Sequence, residues 1–148
     1  MIGHFIYFDT DHAIRTHDWI IENSGGLSGI NNIGLLESAL DLMENDDYYP
    51  NIATKLTYLV YSINKNHAFI DGNKRSSIAL GAYFLEINGY DYCVKSFISK
   101  MENIAVWIAS NTICRELSRK IITSILYDED YSESLKLEIA RAVSNTSY

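Results

Sequence analysis

His67-Ala68-Phe69-Ile70-Asp71-Gly72-Asn73-Lys74-Arg75 interrupts an otherwise helical pattern near the middle of the 148-residue chain. The residues before it, about Ile52 to Asn64, place Ile52, Leu56, Leu59, Val60 and Ile63 on one helical face. Those after it continue helically to Asn88, where Gly89 supplies a left-handed C-cap. Either Asn73 or Asp71 is suited to cap the second helix. The face Ile78, Ala79, Ala82, Tyr83, Leu85 and Glu86 is apolar enough to make it the central helix of a bundle. A loop between two core helices thus carries a proton acceptor, a carboxylate, a glycine and two cations.

Helical spacing extends outward from this centre. Asp9 or Thr10 can cap a first helix that runs to about Asn23 and stops at Ser24-Gly25-Gly26. The next ten residues hold Gly25, Gly26, Gly29 and Gly34 with Asn31 and Asn32, a turn-rich loop or short hairpin. A short helix over about Gly34 to Glu44 follows, and two more are expected over about Val94 to Ser110 and Thr112 to Tyr127. From Asp128 the chain becomes an acidic tail with a weak amphipathic helix near Ser132 to Val143. No repeat or linker divides it, so residues 1–148 are read as one all-α domain with a small hairpin. Trp19 and Trp107 are assigned to the core.

Composition narrows the function. At this length a single domain buries roughly two-thirds of its unfolded surface. Apolar residues make up 47% and there is one proline, which excludes a disordered chain. With 12 basic against 19 acidic side chains and no basic cluster, direct nucleic-acid binding is not expected. Residues 1–8 lack the length of a signal peptide or membrane span. Cys93 and Cys114 lack ligand spacing and are expected as two buried thiols, consistent with a cytoplasmic protein.

The central loop has the chemistry to act on phosphate. Neutral imidazole is the usual base near pH 7, so His67 can take a proton from an attacking hydroxyl. Asp71 is a hard oxygen ligand suited to Mg²⁺ shared with phosphates. Gly72 leaves room for a close backbone approach, and Asn73, Lys74 and Arg75 lie where helix N–H groups favour an anion. Without an anion, Lys74 and Arg75 oppose the helix dipole. The structural alternative is a surface histidine followed by an ordinary Asp-Gly-Asn turn. Phe69 points into the core on either reading. Lys65 is a further phosphate contact or a solvated lysine.

The pattern His67-x-Phe69-x-Asp71-Gly72-Asn73-x-Arg75 resembles the signature of the Fic/Doc family. Gly25 to Gly29, Gly34 to Leu40 and Phe84 to Tyr90 resemble segments of its death-on-curing (Doc) branch. The similarity covers roughly residues 9 to 92. It implies a helical bundle with a small β-hairpin flap, His67 as catalytic base, Asp71 as Mg²⁺ ligand, and Gly72, Asn73, Lys74 and Arg75 around the phosphates of ATP. It also implies that the Gly25 to Gly34 flap holds a target segment by strand addition. Ala68 replaces the usual proline of the family. Lys74 stands where AMP-transferring members have glycine, and Ile78 where they have a second arginine. Both departures favour the Doc branch. The implied activity is transfer of a phosphoryl group from ATP to a Ser or Thr hydroxyl of a cellular protein of the translation-factor class, with AMP transfer as the alternative.

Thr112 to Glu116 carries only the first part of the family's inhibitory-helix pattern, and Leu117 breaks it. Restraint is therefore expected from a separate Phd-like antitoxin, as in a toxin–antitoxin pair. Two other readings compete. His17-Asp18 with His4 or His12 suggests a metal-dependent phosphohydrolase, although the spacing is unpersuasive. A non-catalytic binding module of the same fold predicts erosion of the motif, yet His67, Asp71, Asn73 and Arg75 are all present. Tyr48, Tyr49, Tyr58, Tyr61 and Tyr83 could stack on a base, but tyrosines at helical spacing are commonly core-rim residues.

Overall fold

The computed structural model describes residues 4–128 and 130–145. Its helices are α1 (Thr10–Ser24), α2 (Ile33–Leu42), α3 (Ile52–Asn66), α4 (Asn73–Ile87), α5 (Val94–Ala109), α6 (Arg115–Tyr127) and α7 (Glu133–Ser144), with a 3₁₀ turn at Asp91–Cys93. Local chemistry sets their ends. Asp9 accepts the His12 amide to start α1. Asn51 and Thr54 form a reciprocal capping box on α3. Gly89, at φ +84°, closes α4. The all-α expectation holds.

The hub of the bundle is α3 rather than α4: it packs against α2, α4, α5 and α6, whereas α4 packs against α1, α3 and α5. The buried face of α4 also differs from the expected one. Ser76, Ser77, Leu80, Gly81, Phe84 and Leu85 face inward, while Tyr83 and Glu86 are exposed. Apolar periodicity overlooks small polar residues, which here let helices approach closely. A Cβ on Gly81 would lie 2.8 Å from Phe97 Cζ and 3.2 Å from Val60 Cγ2. Leu56, Leu59, Val60, Phe84 and Phe97, each fully buried, form the centre of the core. Burying such a side chain stabilises the fold by about 1.5–3 kcal/mol.

Three other expectations are corrected. Trp19 is 64% exposed rather than a core residue. Cys114 is an exposed free thiol, because its sulfur caps α6 by accepting the Leu117 amide; only Cys93 is buried. Of the Gly25 to Gly34 segment, residues 25–32 form a loop rather than a hairpin, and Ile33 and Gly34 open α2. Among the described residues the loop forms one antiparallel bridge, Ile30 with Phe69, so its partner strand is the motif itself. No helix among the described residues is long and apolar enough to cross a membrane.

Candidate active site

The core helix α3 ends by handing the chain to His67, an exposed residue at φ 50° and ψ 51°. A non-glycine residue in this left-handed region is uncommon and needs support. Part of that support comes from the 25–32 loop. Asn31 Nδ2 donates to the His67 carbonyl at 3.1 Å. The Asn31 and Asn32 amides donate to the Ala68 carbonyl at 2.8 and 3.0 Å. Phe69 then anchors the motif, 1% exposed. Its amide donates to Asn73 Oδ1 at 3.1 Å and its carbonyl accepts from Asn73 Nδ2 at 2.9 Å. His17 on α1 stacks flat on the Phe69 ring, with centroids 3.8 Å apart and planes 3° from parallel.

Opposite His67, the motif is tied to the end of α1. Asp71 Oδ2 accepts the Leu27 amide at 3.0 Å and Oδ1 accepts the Gly72 amide at 2.8 Å. These two amides, followed by the charges of Arg75 and Lys74, hold the Asp71 carboxyl below its ordinary pKa. Arg75 Nη1 donates to Ser24 Oγ at 2.7 Å and to the Gly25 carbonyl at 2.8 Å. Gly26 passes between these side chains, and a Cβ there would meet Asp71 Oδ2 at 2.7 Å and Arg75 Nη2 at 2.9 Å.

The structure thus brings His67, Asp71, Gly72, Asn73, Lys74 and Arg75 onto one loop and helix start, and it redefines several of their parts. Neither Asn73 nor Asp71 caps α4; the N-cap is Gly72, with no side-chain cap bond. The Asn73 amide is committed to Phe69, so position 73 offers an anion its backbone. Gly72, at φ +78°, is buried, and a Cβ on it would sit 3.1 Å from Ile21 Cδ1. Its glycine therefore serves α1 packing as well as the turn. Lys74 is exposed on the first turn. Lys65 does not join this group: its ammonium donates to Asn111 Oδ1.

The competing constellations do not assemble. His12 stacks on Tyr83 at 4.2 Å, and among the described residues no group of three or more His, Cys, Asp or Glu side chains could hold a metal. Tyr49 and Tyr58 stack on each other at 4.4 Å beneath the Arg115 guanidinium, as core-rim residues do. Glu116 pairs with Arg119 at 2.6 Å. Four contributors escaped sequence reasoning: His17, Ser24, the Leu27 amide and the Asn31–Asn32 pair. The His17-Asp18 dipeptide draws notice as a metal motif, which conceals its packing role.

The donor set fits Mg²⁺ bound jointly with a nucleotide. A single accessible carboxylate, held ionised by amide donors, suits an ion that takes one or two protein oxygens and fills its shell from phosphates and water. The first-turn N–H groups of α4 lack intrahelical partners by construction, and no side chain caps them.

A helical bundle whose core helices α3 and α4 are joined by a histidine–aspartate loop opening onto an uncapped helix start is the class of protein that this fold and site define. A family model described as Fic/DOC family matches residues 7–85, more than half of the chain, and the chain belongs to that family. It is also similar to a protein named Toxin Doc from Mycolicibacterium smegmatis. The two are 31% identical over 90 residues, covering 58% of this chain and 69% of that protein.

Proposed function

We propose that the chain is a Doc-like toxin of a toxin–antitoxin pair, which transfers the γ-phosphoryl group of ATP to a Ser or Thr hydroxyl of a cellular protein. A target of the translation-factor class is the one that the family resemblance implies. The observation that carries the reading is one short loop that joins the exposed His67 to Asp71, whose pKa is lowered, and to the uncapped start of α4, whose first turn bears Lys74 and Arg75.

His67 accepts the proton of the target hydroxyl as that oxygen bonds to the γ-phosphorus. The bond from phosphorus to the β–γ bridging oxygen breaks, and ADP leaves. When bound, Mg²⁺ would neutralise phosphate charge beside Asp71. The α4 N–H groups, already oriented by the helix, stabilise charge on the transferred group, and Lys74 and Arg75 add positive charge beside them. The 25–32 loop presents exposed Leu27 and Ile30 on a segment that already pairs with the motif through Gly29 and Ile30, which supports capture of an extended target segment.

For the partner, an apolar groove between α1, α4 and α5 supports an antitoxin helix. It is lined by Trp19, Ile20, Ala79, Tyr83 and Ile98 and continues past Ile78 to Arg75. AMP transfer is the second reading, and a non-catalytic module the third.

ATP labelled separately at the α- and γ-phosphate, incubated with bacterial lysate, tests the reaction, with His67→Ala as the blank. Label arriving from γ only is the expected result. Label from α establishes AMP transfer, and no label from either position leaves the binding module.

A further inference from the structure

His17 is completely buried on α1, 54 residues before Asp71, and its Nε2 lies 2.6 Å from the Asp71 carbonyl oxygen. A carbonyl only accepts, so Nε2 must carry the proton and donate. The other ring nitrogen, Nδ1, lies 3.3 Å from Asp18 Oδ1, on a side chain that is 61% exposed. Packing alone does not require a histidine here. Its flat stack on Phe69 could be made by any aromatic ring, whereas the bond to the Asp71 carbonyl needs a donor at that point.

That bond has a geometric consequence at the site. The peptide unit joining Asp71 and Gly72 is planar and trans, so its C=O and N–H point in opposite directions. With the carbonyl drawn inward to His17, the Gly72 N–H must face outward, where Asp71 Oδ1 accepts it at 2.8 Å. The carboxylate orientation is therefore set through one peptide plane from a buried imidazole. α1 lies close against this turn: a Cβ on Gly72 would touch His17 Cδ2 at an ordinary 3.5 Å and crowd Ile21 Cδ1 at 3.1 Å.

We infer that His17 is a positioning residue: its Nε2–H bond to the Asp71 carbonyl aims the Asp71 carboxylate at the cation shared with the nucleotide. The inference rests on the Asp71 role proposed above. It treats the histidine as an outer partner of the ligand, a kind of residue whose loss typically lowers metal affinity about 10–100-fold.

His17→Gln and His17→Met form the test pair. Both remove the ring and are similar in size, but only glutamine retains an N–H donor. Binding of Mn²⁺ in the presence of a non-hydrolysable ATP analogue is followed by electron paramagnetic resonance, beside melting temperature and steady-state transfer. The Met variant is expected to bind Mn²⁺ about 10–100-fold more weakly than the Gln variant. Its kcat should fall while its KM for the protein target stays the same. Equal Mn²⁺ affinity and equal kcat in the two variants, with Asp71→Ala losing both, would overturn the role of His17 alone. An Asp71→Ala protein that binds Mn²⁺ and transfers like the wild type would overturn the Asp71 reading, and the His17 inference with it. A measurement on the unaltered protein covers the case in which neither variant folds. Nitrogen-15 NMR should show the His17 Nε2 protonated and slowly exchanging, and an unprotonated Nε2 refutes the inference.

Discussion

The Leu27 amide donates to the Asp71 carboxylate at 3.0 Å, so the loop leaving α1 and the residue proposed as Mg²⁺ ligand are held by a single hydrogen bond across 44 positions of sequence. Arg75 reinforces the link through Ser24 and Gly25. A change at either end should register at the other.

Gly26 lies where the two meet. At φ +122°, with Asp71 Oδ2 and Arg75 Nη2 both within 3 Å of a hypothetical Cβ, alanine at this position is strained in backbone and in space. Gly26→Ala should cost about 1–3 kcal/mol locally. Hydrogen exchange across residues 25–32 should accelerate, and transfer activity should fall with little change in global melting temperature. Gly25→Ala is the comparison. It shares a positive φ of 88° but has no atom within 4 Å of its Cβ, so it should disturb Asp71 less.

Acid should open the same contact. The Asp71 carboxyl is held below its ordinary value, first by the Leu27 and Gly72 amides. Its ionised form therefore stabilises the folded arrangement at all pH values above the unfolded carboxyl value of about 3.9, and that contribution is lost as pH falls through the lower folded value. Protection of the Leu27 amide should be flat from pH 7 to about pH 4 and decline below it. In Asp71→Asn the decline should vanish. A wild-type decline centred near pH 6 would place the controlling group elsewhere.

Stability can be altered without touching this site. Gly81 faces Phe97 and Val60 at distances that leave no room for a methyl group. Gly81→Ala should destabilise by about 1–3 kcal/mol through overpacking between α4, α3 and α5. Chemical denaturation should reveal the loss, while the folded fraction retains wild-type nucleotide affinity.

Gly81 also marks where the sequence stopped being legible. Helix existence and most boundaries could be read because Asp9 and Gly89 act locally and because Leu56, Leu59, Val60 and Ile63 recur at helical spacing. The motif was readable as chemistry from residue types alone. Which face of α4 turns inward depends on Ser76, Ser77 and Gly81 fitting against neighbouring helices, which no single-helix pattern contains. The caps expected from Asn73 and Asp71 fail because other partners claim those side chains first: the Phe69 backbone within the same loop, and the Leu27 amide 44 residues away. His17 required the longest reach, since its partner is 54 residues away.

Trp19 lines the groove between α1, α4 and α5. A tryptophan 64% exposed beside Tyr83 and Ile98, at 36% and 41%, leaves substantial apolar surface on one face of the bundle. Buried aromatic anchors of this type dominate interfaces, and truncating one commonly costs about 2 kcal/mol or more. Under the antitoxin reading, Trp19→Ala should weaken neutralisation by a Phd-like partner at least roughly 30-fold, the equivalent of that energy. Transfer by the free protein should be unaffected, because none of the hydrogen bonds to His67, Asp71 or Arg75 involves Trp19. Growth arrest despite co-expressed antitoxin, together with a loss of binding in calorimetry, is the expected pair of results. Full neutralisation of the Trp19→Ala protein would remove this groove as the docking site and shift attention to the exposed Leu27 and Ile30 of the flap.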